Sequence, residues 1–305
     1  MHPAVSVIFF TVTSGAGLGL IFCLGLGWPM PASPLAAFLV SLLAGGLTAA
    51  GLISSTFHLG HPERAWRALS QWRSSWLSRE GVSAILTLTL LGIYALVWMM
   101  TGERVAWLGL LISLFAAITV FTTAMIYAQL KTVPDWHSAL TPACYLAFAL
   151  AAGALLAAGL GTATTLIGMP VAILASAALI VAWTAKLLWW NRAGTIGFSH
   201  TGSSIGTATG LGGLGAVRLL ERPHSGENYL TREMVHKIGR KHAARLRRIA
   251  LVTGCAVPLA LCFLAMATGQ PAFLFLLAFA SLMAGLFAER WLFFAEARHA
   301  VSLYY

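Results

Sequence analysis

The chain has 305 residues, of which 59% are hydrophobic and 9% charged; 19 Lys and Arg stand against 9 Asp and Glu, a formal net charge of +10. An ordinary soluble domain carries about a quarter charged residues, so the composition excludes one and points to a membrane protein. The basic balance also suits nucleic acid, but membrane topology and anionic inner-leaflet lipid account for it, and no nucleic-acid partner is expected.

Continuous runs rich in Leu, Ala and Gly predict eight spans, at about 5–27, 36–57, 81–101, 105–128, 140–160, 165–190, 249–267 and 271–289. Each approaches or exceeds the roughly 20 residues that a membrane helix needs. Barrel strands would alternate polar and apolar positions instead. The expected fold is therefore all-α, a polytopic eight-transmembrane-helix bundle. Residues 1–305 form a single membrane domain, and 191–248 is a long basic loop within it. The first run has no Lys or Arg ahead of it and is long enough to span, so it reads as a mature helix rather than a cleaved signal peptide.

Helix 2 runs into HLGHPERAWRALSQWRSSWLSRE, residues 58–80. His58 is placed at the end of the helix. Gly60 and Pro62 turn the chain, and Trp66, Trp72 and Trp76 recur as in an interfacial segment at headgroup level. Glu80 stands at the start of helix 3, where a carboxylate complements the helix dipole. Two readings are open: belt tryptophans, topology arginines and a helix-start charge, or a mouth where His58 and Glu80 hold a quinone ring and exchange its protons. His61, in the turn itself, reads as solvent-facing. On the same side, YAQLKTVPDWHSALTP runs from Tyr127 to Pro142. Tyr127 is either an interfacial anchor or a phenolic donor to a quinone carbonyl.

With the N-terminus on side A, the connections 58–80, 129–139 and 191–248 and the C-terminal tail share that side. Side A holds 17 of the 19 Lys and Arg, Arg290 and Arg298 among them. Lys186 reads as snorkelling to the side A end of helix 6, and Arg104 alone is on side B. The positive-inside rule makes side A cytoplasmic, with both termini inside.

Cys23, Cys144, Cys255 and Cys262 lie within spans and form no CxxC pair, so they read as packing residues. None of the nine histidines falls in mid-membrane. The chain has no haem attachment motif and no iron–sulfur cysteine cluster, so neither a haem nor a metal is expected, and pairing of two histidines at helix mouths is the one haem reading left open. All carboxylates except Glu103, Glu289 included, read as lying on side A or at its mouth. No acidic relay crosses the bilayer, and neither an internal repeat nor a midplane charge supports a transporter, which is the rival class.

HLGHPERAW, SWLSRE, YAQLKTVPDW and the terminal AERWLFFAEARHAVSLYY resemble the corresponding segments of the membrane anchor of the dimethyl sulfoxide reductase family. The resemblance covers essentially the whole chain. It implies the quinone-reactive anchor of a three-subunit complex in a bacterial inner membrane. Its partners are a molybdopterin catalytic subunit and an iron–sulfur electron-transfer subunit, which carry the molybdopterin and iron–sulfur clusters. The family's quinone-site histidine maps to His58, with Arg64, Glu80 and Tyr127 as companions. Arg67, Arg73 and Arg79 would present a basic patch to an acidic partner face. The long loop with GENYLTREMVHKIGRKHAARLRR resembles the sulfite-oxidising branch, which tilts the expectation toward sulfite dehydrogenase, with a dimethyl sulfoxide or polysulfide reductase oxidising menaquinol as the alternative.

Overall fold

A computed structural model describes residues 4–161, 165–221, 226, 242–269 and 271–303, leaving aside the side chains of His58 and of 165–168. Eight of its helices are long and apolar enough to cross a membrane. They are α1 (Val5–Gly25), α2 (Pro34–Ser54), α3 (Trp76–Thr101), α4 (Ala106–Ala128), α5 (Leu140–Leu160), α6 (Thr165–Thr195), α7 (Ala243–Ala267) and α8 (Ala272–Ala295). Among the described residues there is no strand. Local signals set the helix ends. Ser33 Oγ accepts the Ala36 N–H at 3.2 Å with Pro34 at the first helical position, and Gly102, at φ 77°, closes α3 in the left-handed conformation.

The eight spans stand, but several run further than the hydropathy pattern at the side A end. Helix α3 begins at Trp76, α6 continues to Thr195, α7 begins at Ala243 and α8 continues to Ala295. Each extension takes charged residues into the helix: Arg79 and Glu80, Arg192, Arg245 with Arg247 and Arg248, and Arg290. The part of the expected basic helix that falls on 232–241 lies outside the described residues.

Helices α1 and α5 form the centre. In their most apolar windows 78% and 67% of residues are buried, against 28% in both α2 and α7, which therefore lie at the outside of the bundle. The α1–α5 crossing depends on glycine. A Cβ on Gly19 would strike the Ala149 carbonyl, and one on Gly153 would strike the Gly19 backbone. Close backbone approach of this kind is how membrane helices gain packing without a hydrophobic drive between them. Hydroxyl pairs join α3 to α4, Ser83 to Thr122 at 3.2 Å and Thr87 to Thr119 at 3.0 Å. In α7 a π-turn, Val252–Ala256, breaks the regular ladder, and Trp183 Nε1 of α6 donates to the Gly254 carbonyl at 2.7 Å.

Side A is built from irregular backbone. The 3-10 turn Ser55–His58 follows α2, and a second, Pro62–Gln71, folds over the start of α3, where the Ser78 hydroxyl donates to the Ala68 carbonyl. The 129–139 loop is tied to the C-terminal segment by Asp135, whose Oδ1 lies 2.8 Å from Arg298 Nη2, and by the Ala300 N–H, which donates to the Thr132 carbonyl at 2.9 Å. The Asp135 hydrogen bond holds the Arg298 guanidinium above its usual pKa.

Candidate functional site

His58 ends the first 3-10 turn at the mouth of α2, as expected, and its side chain lies outside the described residues. Arg64 stands on the exposed second turn, its Nε 3.7 Å from Glu63. Among the described contacts none joins Arg64 to Glu80. His61 is exposed and pairs with Glu63 at 3.0 Å. Trp66 and Trp72 are also exposed, and the Arg67 and Arg73 guanidinium groups lie 5.6 and 5.4 Å from those rings. The result is a cationic and aromatic ledge. Arg79 differs from its neighbours: it donates to the Trp72 and Arg73 carbonyls at 3.0 and 2.7 Å and lies 4.3 Å over Trp76. That side chain shapes the ledge from within.

Glu80 is only 4% exposed, although it sits in the first turns of α3. The backbone turn over α3 helps to seal that end, since Leu69 packs where a Cβ on Gly81 would fall. Thr123 Oγ1 of α4 lies 2.5 Å from Glu80 Oε1 and 2.9 Å from the Thr119 carbonyl. A hydroxyl has one hydrogen to donate. The Glu80 carboxyl and the Thr119 carbonyl therefore compete for that hydrogen.

Tyr127, at the end of α4, is buried rather than set at the headgroup level. Its ring packs on Trp136, Tyr145, Phe293 and Phe294 at centroid distances of 5.3, 5.9, 5.6 and 5.4 Å. Tyr127 and Tyr145 both lie within Coulombic reach of Glu80 and Arg290. The structure thus brings Glu80 and Tyr127 into one electrostatic neighbourhood and leaves Arg64 outside on the loop.

Three sequence readings are corrected here. Lys186 does not snorkel: at 1% exposure its Nζ lies 2.5 Å from Glu289 Oε1 and 3.8 Å over the Trp189 ring. Glu289 is not at the mouth but sealed inside α8 at 0% exposure. Arg290 is not a tail charge: it is 3% exposed, with Nε 3.5 Å from Glu289 Oε2 and its guanidinium 3.7 Å over Tyr145. The Lys186 ammonium and the Arg290 guanidinium thus hold the one Glu289 carboxylate from its two oxygens. These cations are costly in hydrocarbon unless paired.

A cavity of about 20 Å³ is lined by Thr11 and Ser14 of α1, Thr123 of α4, Tyr145 of α5 and Arg290 of α8. Tyr145 Oη and Arg290 Nη1 are buried with no hydrogen-bond partner. The sequence reading passed over Thr123, Tyr145, Glu289 and Arg290 as site residues. One signal was available: Lys186 interrupts a predicted span, and an ionisable residue inside a span is a site candidate by default.

The chain matches the family described as DMSO reductase anchor subunit (DmsC) over residues 1–295. It is 34% identical to the C component of the sulfite dehydrogenase of Allochromatium vinosum, across 100% of this chain and 99% of that protein. It is 30% identical to YnfH, an anaerobic dimethyl sulfoxide reductase component of Escherichia coli, across 57% of this chain and 64% of that one. A shorter match, 33% identical across 30% of this chain and 33% of the other, joins it to the C component of the anaerobic dimethyl sulfoxide reductase of Escherichia coli. With eight membrane-length helices and a family match over nearly all of its length, the chain belongs to the DMSO reductase anchor-subunit family.

Proposed function

We propose that this chain is the membrane anchor and quinone-reactive subunit of a three-subunit molybdenum and iron–sulfur oxidoreductase that oxidises sulfite in its catalytic partner and delivers the electrons to quinone. The observation that carries the choice of substrate is the end-to-end match to a relative named as part of a sulfite dehydrogenase. The partial match to YnfH supports a second reading, a reductase anchor that oxidises menaquinol.

The residues fit a quinone. The ring needs flat apolar walls, donors for its carbonyls and a group that exchanges protons. Around Glu80 the chain offers a buried carboxyl, the Thr123 hydroxyl, the Tyr127 phenol and the aromatic rings packed on it. His58, Glu80 and Tyr127 would hold the head group, and Arg64 would add positive charge at the mouth. When bound, the quinone supplies a two-electron, two-proton redox couple. Glu80 holds one of the exchangeable protons at Oε1, and the fold over Ser78 and Gly81 limits water at that carboxyl. Arg67 and Arg73 face outward and fit an acidic docking face on an iron–sulfur partner, a rim contact that governs encounter more than affinity. The charge asymmetry supports a side A, with both termini, that faces the cytoplasm of a bacterial inner membrane.

The test is sulfite-dependent quinone reduction by membranes that contain the whole complex, comparing wild type with His58→Ala and Glu80→Gln, with assembly checked by co-purification of the partners. Variants that assemble and reduce an artificial acceptor from sulfite but not quinone support the site. A wild type that ignores sulfite and oxidises quinol with a sulfoxide supports the reductase reading instead.

A further inference from the structure

We propose that the cavity between the side A ends of α6, α7 and α8 binds the phosphate of an anionic phospholipid headgroup, with Arg247 and Arg248 as its cations. The cavity measures about 700 Å³, and its lining includes Ala193 of α6, Arg247 and Arg248 of α7, and Glu296 and Arg298 just after α8. That volume suits a small-ligand site and is many times what one water takes. The inference is independent of the quinone reading.

Charge decides what enters. Among the described residues of the lining, three are arginines and two, Asp135 and Glu296, are carboxylates. Arg298 pairs with Asp135 at 2.8 Å and Arg247 with Glu296 at 2.9 Å, whereas no described contact holds Arg248. One positive charge is left over, and a phosphodiester carries one negative charge. The pairs are also oriented. The Arg247 and Arg298 side chains are 42% and 33% exposed, while their partners Glu296 and Asp135 are 16% and 4% exposed. The cavity therefore shows its cations to a ligand, and the more deeply buried carboxylates hold the guanidinium groups from behind. The Arg247 guanidinium is further fixed by the Trp190 ring, 5.3 Å away. A guanidinium held in this way presents its N–H fork to phosphate oxygens with little further ordering.

Position points to lipid as the source of the phosphate. The cavity sits at the ends of three membrane-length helices. On α7, Ile249 and Val252 follow Arg248 toward the middle of the span and are exposed, as are Leu187 and Leu188 of α6. In a membrane-spanning chain, apolar side chains this open lie against acyl chains. A headgroup in the cavity therefore has a surface for its tails on the same helices, whereas a soluble anion gains only the arginines. Basic pockets between membrane helices are a known setting for anionic headgroups.

The test uses the full-length chain in a neutral detergent at fixed ionic strength and follows the thermal unfolding midpoint, which a ligand of the folded state raises. The probes are phosphatidylglycerol, phosphatidylcholine with the same acyl chains, and inorganic phosphate. Phosphatidylcholine has the same phosphate but adds a cation, which the arginines repel. Phosphatidylglycerol is expected to raise the midpoint saturably, and neither of the others to do so at the same concentration. Arg248→Gln removes a side chain with no described partner and leaves both ion pairs in place. It is expected to raise the half-saturating phosphatidylglycerol concentration about fivefold, the scale of one basic residue at an anionic surface. Arg245→Gln, an exposed neighbour outside the described lining, should leave that concentration unchanged. Equal weakening in the two variants, or none in Arg248→Gln, overturns the site and leaves diffuse surface charge. An equal response to phosphatidylcholine overturns the choice of an anionic headgroup, and an equal response to inorganic phosphate overturns the choice of lipid.

Discussion

Lys186 Nζ lies 2.5 Å from Glu289 Oε1 across the α6–α8 interface, with the two side chains 1% and 0% exposed. Arg290 approaches the other oxygen of the same carboxylate at 3.5 Å, so one anion balances two buried cations. The variants should be unequal. Glu289→Gln strands both cations and is expected to cost about 3–5 kcal/mol. Lys186→Met leaves Glu289 with Arg290 and should cost much less. Thermal unfolding of the two purified variants in one detergent checks the order, and equal loss in both would refute the shared-anion account.

The same triad explains which parts were legible in the sequence. A hydropathy window ends where charge begins, so a charged cluster buried near a helix end shortens the span and places its own members outside. Glu289 and Arg290 became mouth and tail for that reason, and Lys186 became a snorkelling residue. The turn at 58–80 was readable because polar residues stand out between apolar runs. Thr123 and Tyr145 were not, since a hydroxyl in an apolar helix looks the same whether it bonds its own backbone or a carboxyl on a neighbouring helix. The count and order of the helices survived because eight apolar runs of membrane length leave little freedom in an alternating bundle.

The α1–α5 crossing should tolerate no side chain. Gly153→Leu drives a branched group into the Gly19 backbone, which cannot yield as a side-chain tip would, whereas a Cβ on Gly92 of α3 meets nothing within 4 Å. Gly153→Leu is expected to abolish monodisperse protein on size-exclusion chromatography, and Gly92→Leu to elute as wild type. A normal profile for Gly153→Leu would mean that the two helices do not approach this closely.

The π-turn of α7 depends on a donor from another helix. Trp183 Nε1 supplies it at 2.7 Å to the Gly254 carbonyl, inside the bundle where no water replaces it. Trp183→Phe keeps most of the ring and removes the N–H, so its cost should be near that of one unsatisfied buried group, about 1–3 kcal/mol. A melting temperature equal to that of wild type would show that the carbonyl finds another partner.

The C-terminal segment should loosen in acid. His299 Nδ1 accepts the Val301 N–H at 3.1 Å, a role open only to an unprotonated nitrogen, and burial holds the imidazole below its ordinary pKa of 6.5. A base whose folded pKa is lowered contributes stability that is complete above the unfolded value and is lost as pH falls through the folded one. The Ala300 N–H donates to the Thr132 carbonyl in the next step of the chain, so protonation of His299 should release both the terminal 3-10 turn, Ala300–Leu303, and its hold on the 129–139 loop. Hydrogen exchange corrected for intrinsic rates is expected to show protection of 299–303 and 131–137 at neutral pH and its loss at an acidic pH below the ordinary imidazole range. In His299→Gln that pH dependence should disappear, because a side-chain amide accepts at either pH. Equal protection of wild type at both pH values would show that the turn does not depend on the unprotonated imidazole.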